Sequence, residues 1–238
     1  MAGPLIECVA NFSEGRDAAT VAAIERAIRS AAGVVVLRSE MDTDHNRSVI
    51  TFVGPPDAVA AGALRAIETA VERIDLRKHA GVHPRMGAAD VVPFIPFQGA
   101  TLDDCVAIAH ETGEEVWNRL RVPVYFYEAA AMSPDRRLLE NCRRGGFENP
   151  RIAPDVGGPA LHPSAGACII GARKILIAFN VNLKTDDLQV ARDIARKIRA
   201  SSGGMPFVKA LGLPLAKRGL VQVSMNLTDF EQTPLHRV

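Results

Sequence analysis

KILIAFNVNLKTDDLQVARDIARKI, residues 174–198, is the stretch from which the chain's organisation can be read. It begins as an apolar strand with asparagines near its end. Asp186-Asp187 then opens a helix that places Leu188, Ala191, Ile194, Ala195 and Ile198 on one stripe, and Gly203-Gly204 ends it. The chain starts in the same order. LIECVANF (5–12) is a strand, and Ser13-Glu14-Gly15-Arg16-Asp17 is a polar turn. Val21, Ile24, Ile28 and Ala31 recur at helical spacing before Gly33. Two strands follow in each copy. They are VVVL (34–37) and SVITFV (48–53) in the first, and FVKALGL (207–213) and LVQVSMNL (220–227) in the second. This is a weak internal repeat of a βαββ unit. The first copy continues into a helix from Pro55-Pro56-Asp57, with Val59, Ala63, Ile67, Val71 and Ile74 on one face, and then the strand VVPFIP (91–96). A third helix over 102–119 and the strand VPVYFY (122–127) come next, and residues 133–156 are rich in loops. The second copy stops at Val238, before any such completion. The expected fold class is α+β, with two consecutive sandwiches at 1–173 and 174–238. Their sheets should be mixed or antiparallel with helices on one face, and the second should be truncated.

The chain has 238 residues, of which 47% are hydrophobic and only 5% aromatic, so its cores must be built from Ala, Val, Ile and Leu. With 28 basic and 27 acidic residues the net charge is +1, which gives no reason to expect a nucleic-acid or membrane-surface partner. Cys8, Cys105, Cys142 and Cys168 are far apart and form no CxxC pair, so buried thiols in a reducing compartment are expected. The N-terminus lacks a secretory pattern, and no apolar run approaches the roughly 20 residues of a membrane span. These features lead to the expectation of a cytoplasmic protein; small-molecule substrates and a homodimer are expected as its partners, though composition does not fix them.

Chemistry is suggested by HAGVHPRMGAADVVPFIP (79–96). His79 and His83 have the spacing of a helical metal pair, but Gly81 and Pro84 oppose a helix and no third ligand is near, so no metal is expected. The segment is either a structural turn or a loop that presents His83 to a cleft. An imidazole there would exchange protons near neutrality. Arg85 offers a planar fork to a carboxylate. EMDTDHNRSV (40–49) is either a solvated hairpin or a site loop. In the second case Glu40, Asp42 or Asp44 would orient an imidazole, and Asn46 and Arg47 would grip a polar substrate. It lacks the glycine and distal glutamate of an EF-hand. DVGGPALHPSAGA (155–167) is neither a P-loop nor GxGxxG, and serves either as a linker or as a small-residue track for a flat ring. Asn11, Ser13 and Glu14 sit at a strand end, where helix capping is the simpler reading.

Taken together, ECVANFSEG, Asn46-Arg47-Ser48-Val49 with TFVG, HAGVHPRMGAADVVPFIP, VPVYFYEAA, GGPALHPSAGA, GARKILIAFNVNL and VSMNLTDFE resemble the glutamate formimidoyltransferase family, in family order along nearly the whole chain. The resemblance implies two ferredoxin-like subdomains with folate held between them. It also implies transfer of a formimino group from N-formimino-L-glutamate to N5 of tetrahydrofolate, in histidine degradation. His83 matches the family's catalytic histidine, and Glu40 falls near its acidic partner. Asn11, Asn46, Arg47 and Arg85 are the expected substrate-binding residues. Gly157, Gly158, Pro159, Ala160, Leu161, His162, Pro163, Ser164, Ala165 and Gly166 match the folate-binding loop, with Ala165 standing where some relatives carry an aromatic residue. Family members extend beyond LTDFE, whereas this chain ends seven residues after Glu231. The alternatives are an enzyme that cyclises 5-formyltetrahydrofolate and a non-catalytic folate-binding protein.

Overall fold

The computed structural model describes residues 3–43, 45–80, 85–215 and 218–238. The chain divides into two compact units, Met1–Arg173 and Lys174–Val238.

The first unit runs β1 (Leu5–Phe12), α1 (Ala18–Arg29), β2 (Val35–Asp42), β3 (Arg47–Gly54), α2 (Pro56–Arg73), β4 (Ala89–Gln98), α3 (Leu102–Leu120), β5 (Val124–Glu128), the single turn α4 (Leu139–Cys142) and β6 (Cys168–Ala172). Its sheet has the order β2-β3-β1-β4-β6-β5. The first four strands pair antiparallel in the ferredoxin-like order, and β6 joins β4 and β5 in parallel.

Side-chain alternation decides which face the helices cover. Ile6, Cys8, Ala10 and Phe12 of β1 and Ile50 and Phe52 of β3 are buried with Ile24 and Ile28 of α1 and Ala63 and Ile67 of α2. Val92, Phe94, Phe126 and Ile170 extend this core beneath Cys105, Ala109 and Val116 of α3. The opposite face of β4, β5 and β6 has its own core. There Val91, Tyr125, Tyr127 and Ile169 meet Met86 and Cys142, with Leu139 and Ile152 packed against them. These strands are buried on both sides, so their sequences are continuously apolar. Among the described residues the other face of β1 and β3 is only partly buried, and it carries Glu7, Asn11, Arg47 and Thr51 among valines.

Two elements depart from the sequence reading. CIIGA (168–172) is a strand that the reading did not separate from the glycine- and proline-dense segment before it. A strand buried on both faces has no alternation to betray it. β2 continues five residues past VVVL, because Arg38 to Asp42 pair with β3 as far as Arg47. As an exposed edge strand it has no need of apolar residues there, so Glu40 stands on a strand and not in a loop.

In the second unit β7 (Ile177–Leu183), α5 (Leu188–Ile198), β8 (Val208–Leu215) and β9 (Leu220–Leu227) form an antiparallel sheet of order β7-β9-β8, matching β1-β3-β2. The repeat extends to the caps. Asp17 accepts from the Ala19 N–H at the start of α1, and Asp187 accepts from the Gln189 N–H at the start of α5, both at 2.9 Å. α5 covers β8 and β9. Phe179 and Val181 share the helix-facing side of the sheet but remain 41% and 39% exposed, and no counterpart of α2 and β4 occurs among the described residues of this unit.

All four cysteines are free and buried. Burial pushes the Cys105 thiol up to about 12 and the Cys142 thiol to about 11, which keeps both protonated. Among the described residues no helix is long and apolar enough to cross a membrane.

Candidate active site

The polar face is organised by an irregularity in β4. Asn11 pairs with Val91 and Phe12 with Ala89, so the register slips between them and Asp90 is the extra residue. Such a bulge re-aims a side chain. Asp90 has no exposed surface, and its Oδ1 accepts from the Met86 N–H at 2.7 Å and the Gly87 N–H at 3.4 Å. Its Oδ2 receives two guanidiniums, Arg47 Nη1 at 3.0 Å and Arg143 Nη2 at 2.5 Å. Burial opposes a charge here, but the Arg143 and Arg47 charges and the Met86 N–H outweigh it and hold the carboxyl below the usual 3.8. Desolvation lowers the Arg47 pKa and Asp90 opposes the shift; an arginine stays protonated regardless. The remaining Arg47 nitrogens, Nε and Nη2, donate to Asn11 Oδ1 at 3.1 and 2.9 Å. Asn11 and Arg47 are therefore in direct contact. Further along the same face Arg173 bonds the Tyr127 hydroxyl, whose pKa burial pushes up to about 12.

Loops from four parts of the unit close around this end of the sheet. Asn46 is buried, with φ of 50°. Its Oδ1 accepts from the Gly15 N–H at 3.0 Å, and its Nδ2 donates to the Ala80 carbonyl at 3.3 Å. Gly15 permits the approach, since a Cβ there would fall 2.3 Å from the Asp42 carbonyl oxygen. His79 Nε2 donates to the Asn46 carbonyl at 3.0 Å. Arg85 engages protein acceptors through one nitrogen, while its Nε is buried without an acceptor among the described residues. Its Nη2 donates to the carbonyls of Leu76 and His79 and to Glu148 Oε1, the last at 2.8 Å. Ser13 ties the end of β1 to Ala88 and Gly87, while Glu14 accepts from the Arg16 and Asp17 N–H groups before α1. His83 lies outside the described residues, as does Asp44. The residues that flank 81–84 are anchored on both sides, Ala80 by Asn46 and Met86 by Asp90.

The segment Gly157–Gly166 spans two environments. Gly157 packs against the Trp117 ring, and Pro159, Ala160 and Pro163 are exposed. Its far end is fixed. Ala165 is buried, Leu76 N–H donates to the Ser164 carbonyl, and Ala88 N–H donates to the Ala165 carbonyl. His162 Nδ1 accepts from the Ala165 N–H at 3.0 Å, which requires a neutral ring. Desolvation, then the nearby Arg77, lowers its pKa below 6.5.

Beside Arg47 lies a half-open cleft of about 400 Å³, lined among the described residues by Glu40, Met41, Asp42, His45, Arg47 and Val49. This volume suits a small ligand. Glu40 stands across from Val49 and pairs with Arg38 at 2.6 Å in the solvent-exposed rim. Asp42 holds the His45 ring, Nδ1 to Oδ2, at 2.7 Å. The cleft offers one guanidinium, two carboxylates and an imidazole, which suits a polar ligand. Asp90 and Arg143 were not singled out from sequence. The available signal was an aspartate placed directly before the wholly apolar run VVPFIP.

Comparison with known proteins gives a consistent picture. The model of the formiminotransferase domain's N-terminal subdomain matches residues 5–173, and the formiminotransferase domain model matches 178–238. The chain is 46% identical over 242 residues to glutamate formimidoyltransferase of Thermoplasma acidophilum, spanning 98% of this chain and 80% of that one. It is 41% identical over 240 residues to glutamate formimidoyltransferase of Streptococcus pyogenes, with the same coverage. Formimidoyltransferase-cyclodeaminase of Rattus norvegicus is 44% identical over 247 residues, which is 98% of this chain but 46% of that protein. With both halves matched in order, the chain belongs to the formiminotransferase family.

Proposed function

We propose that the protein transfers the formimino group of N-formimino-L-glutamate to N5 of tetrahydrofolate, giving 5-formiminotetrahydrofolate and glutamate. The observation that carries this reading is the family match over 5–173 and 178–238, a span that contains the HPRMG motif and the Asn11–Arg47–Asp90 network. N5 attacks the formimino carbon, a C–N bond forms, and the C=N electron pair moves to the imino nitrogen. His83 takes the N5 proton. As the tetrahedral intermediate collapses, the bond to the glutamate nitrogen breaks and His83 returns the proton to that nitrogen. A group positioned in this way contributes roughly 10²- to 10⁴-fold. Glu40 is the acid that orients His83, and its exposed pairing with Arg38 is weak enough to yield to that role. Asn11 and Arg47 face the substrate, and Asn46 and Arg85 hold the loop. Residues 157–166 receive the folate. Four buried, unpaired thiols support a cytoplasmic setting.

The test is to mix the protein with tetrahydrofolate and formiminoglutamate and follow 5-formiminotetrahydrofolate by absorbance. Product without nucleotide is expected. Folate binding without product, or ATP-dependent consumption of 5-formyltetrahydrofolate instead, contradicts the proposal.

A further inference from the structure

β2 ends the six-stranded sheet, and among the described residues it pairs with β3 on one side only. At the other end of the sheet, β5 is buried along Val124–Tyr127. β2 is the opposite case, with Val35, Leu37 and Met41 respectively 56%, 59% and 40% exposed on a single eight-residue strand. Such an edge is a template for another strand. Charge guards an edge when copies of it bring like charges together. Here the charges have opposite signs. Arg38 and Glu40 lie two residues apart on one face and pair with each other at 2.6 Å, both exposed. A two-fold axis through Ser39, perpendicular to the sheet, sets β2 of one copy antiparallel to β2 of another. Ser39 then stands opposite Ser39, Arg38 opposite Glu40, and Leu37 opposite Met41. Opposite residues share a face, so the register changes in steps that move the axis by one residue. One step sets Glu40 opposite Glu40, and one step the other way sets Arg38 opposite Arg38. The Ser39 register joins unlike charges twice and like charges nowhere. The slip between Val36 and Arg38 makes Leu37 an extra residue. It limits the regular ladder to Arg38–Glu40 and puts the Leu37–Met41 contacts at its two ends.

We infer that β2 is the interface between two copies of this chain, joined antiparallel about Ser39 into one continuous sheet, with Arg38 of each copy paired to Glu40 of the other. A second copy is the occupant that this charge pattern fits, and the two-fold pairing closes both β2 edges at once. Glu40 and Met41 also line the cleft beside Arg47, so the seam runs along its rim. The assignment does not depend on the transferase reading.

Sedimentation of the full chain over a range of concentrations decides the matter. The wild type should reach twice the chain mass. Arg38→Glu sets like charges opposite each other at two places and should raise the dissociation constant at least about 100-fold. Exchanging the charges, with Arg38→Glu and Glu40→Arg together, should restore association. A position-specific test covers variants that fail to fold. Ser39→Cys places two thiols directly opposite across the axis, close enough for a disulfide, and the four native thiols are buried. Mild oxidation should therefore link Ser39→Cys into a covalent dimer, while Val35→Cys, at the far end of the strand, should stay unlinked. A wild type of one chain mass overturns the assignment. So does an assembly that folded Arg38→Glu leaves intact, a folded charge-exchanged variant that does not reassociate, or a Ser39→Cys protein that oxidation does not link.

Discussion

Four donors converge on the buried Asp90 carboxylate, from the Met86 and Gly87 backbone and the Arg47 and Arg143 side chains. Removing it strands two guanidiniums. Asp90→Ala is expected to destabilise the first unit by about 3–5 kcal/mol, read as a lower denaturation midpoint with an unchanged slope. A loss under about 1 kcal/mol would mean that the network is solvated and contributes little. His162 gives a pH prediction. Its pKa is lowered in the folded state, so the unfolded chain takes up the proton first as pH falls. The stability contributed by the neutral ring is present above pH 6.5 and is lost as pH falls through the folded value. An NMR titration should place its midpoint below 6.5, with faster Ala165 amide exchange on the acid side; a midpoint at or above 6.5 contradicts this. Asn11 and Arg47 were each legible as polar-site candidates at this scale, but their contact was not, since Asn11 at a strand end reads more simply as part of a helix cap. Arg143 was not, because nothing in an arginine pair within a loop-rich segment says which carboxylate lies across the fold.

At the scale of elements, the helices and the six longer strands of the βαββ copies follow from periodicity and caps. The strand CIIGA and the bulge at Asp90 do not, since a doubly buried strand and a one-residue slip leave no periodic trace. The bulge matters most, because it moves Asp90 onto the face shared by Asn11 and Arg47. Backbone contact also fixes the folate-loop candidate. Gly166 has φ of 71°, and a Cβ there would fall 2.1 Å from the Met86 carbonyl oxygen. Gly166→Ala should therefore cost at least about 1–3 kcal/mol and weaken folate binding. Native stability with full folate affinity would show that the loop is not held in this way. At the N-terminus of α3, Thr101 and Asp104 form a reciprocal capping box, with Asp104 N–H to Thr101 Oγ1 at 3.1 Å and Thr101 N–H to Asp104 Oδ2 at 2.8 Å. Thr101→Ala should cost about 1 kcal/mol and leave turnover unchanged, because α3 lies on the helix face.

Across the whole molecule the two units have separate cores, one spanning the six-stranded sheet and α1–α3, the other built on α5 and three strands. The repeat that divides them was readable because strand, acidic turn and helix recur in one order. The extension through α3, β5 and β6 has no second copy to be compared with. The second unit is small, and it leaves Phe179 and Val181 uncovered on the sheet face that α1 and α2 fill in the first. Calorimetry should resolve two transitions, with the second unit melting first; a single transition with equal calorimetric and van't Hoff enthalpies would show one cooperative body. The central claim is that the reaction takes place on the polar, non-helix face of the larger sheet. A crystal structure with a bound folate analogue and glutamate tests it most directly. The account predicts pterin N5 within about 3 Å of the His83 imidazole and the glutamate beside Asn11 and Arg47. A pterin bound on the helix face, or lying beyond hydrogen-bond reach of His83, would contradict it.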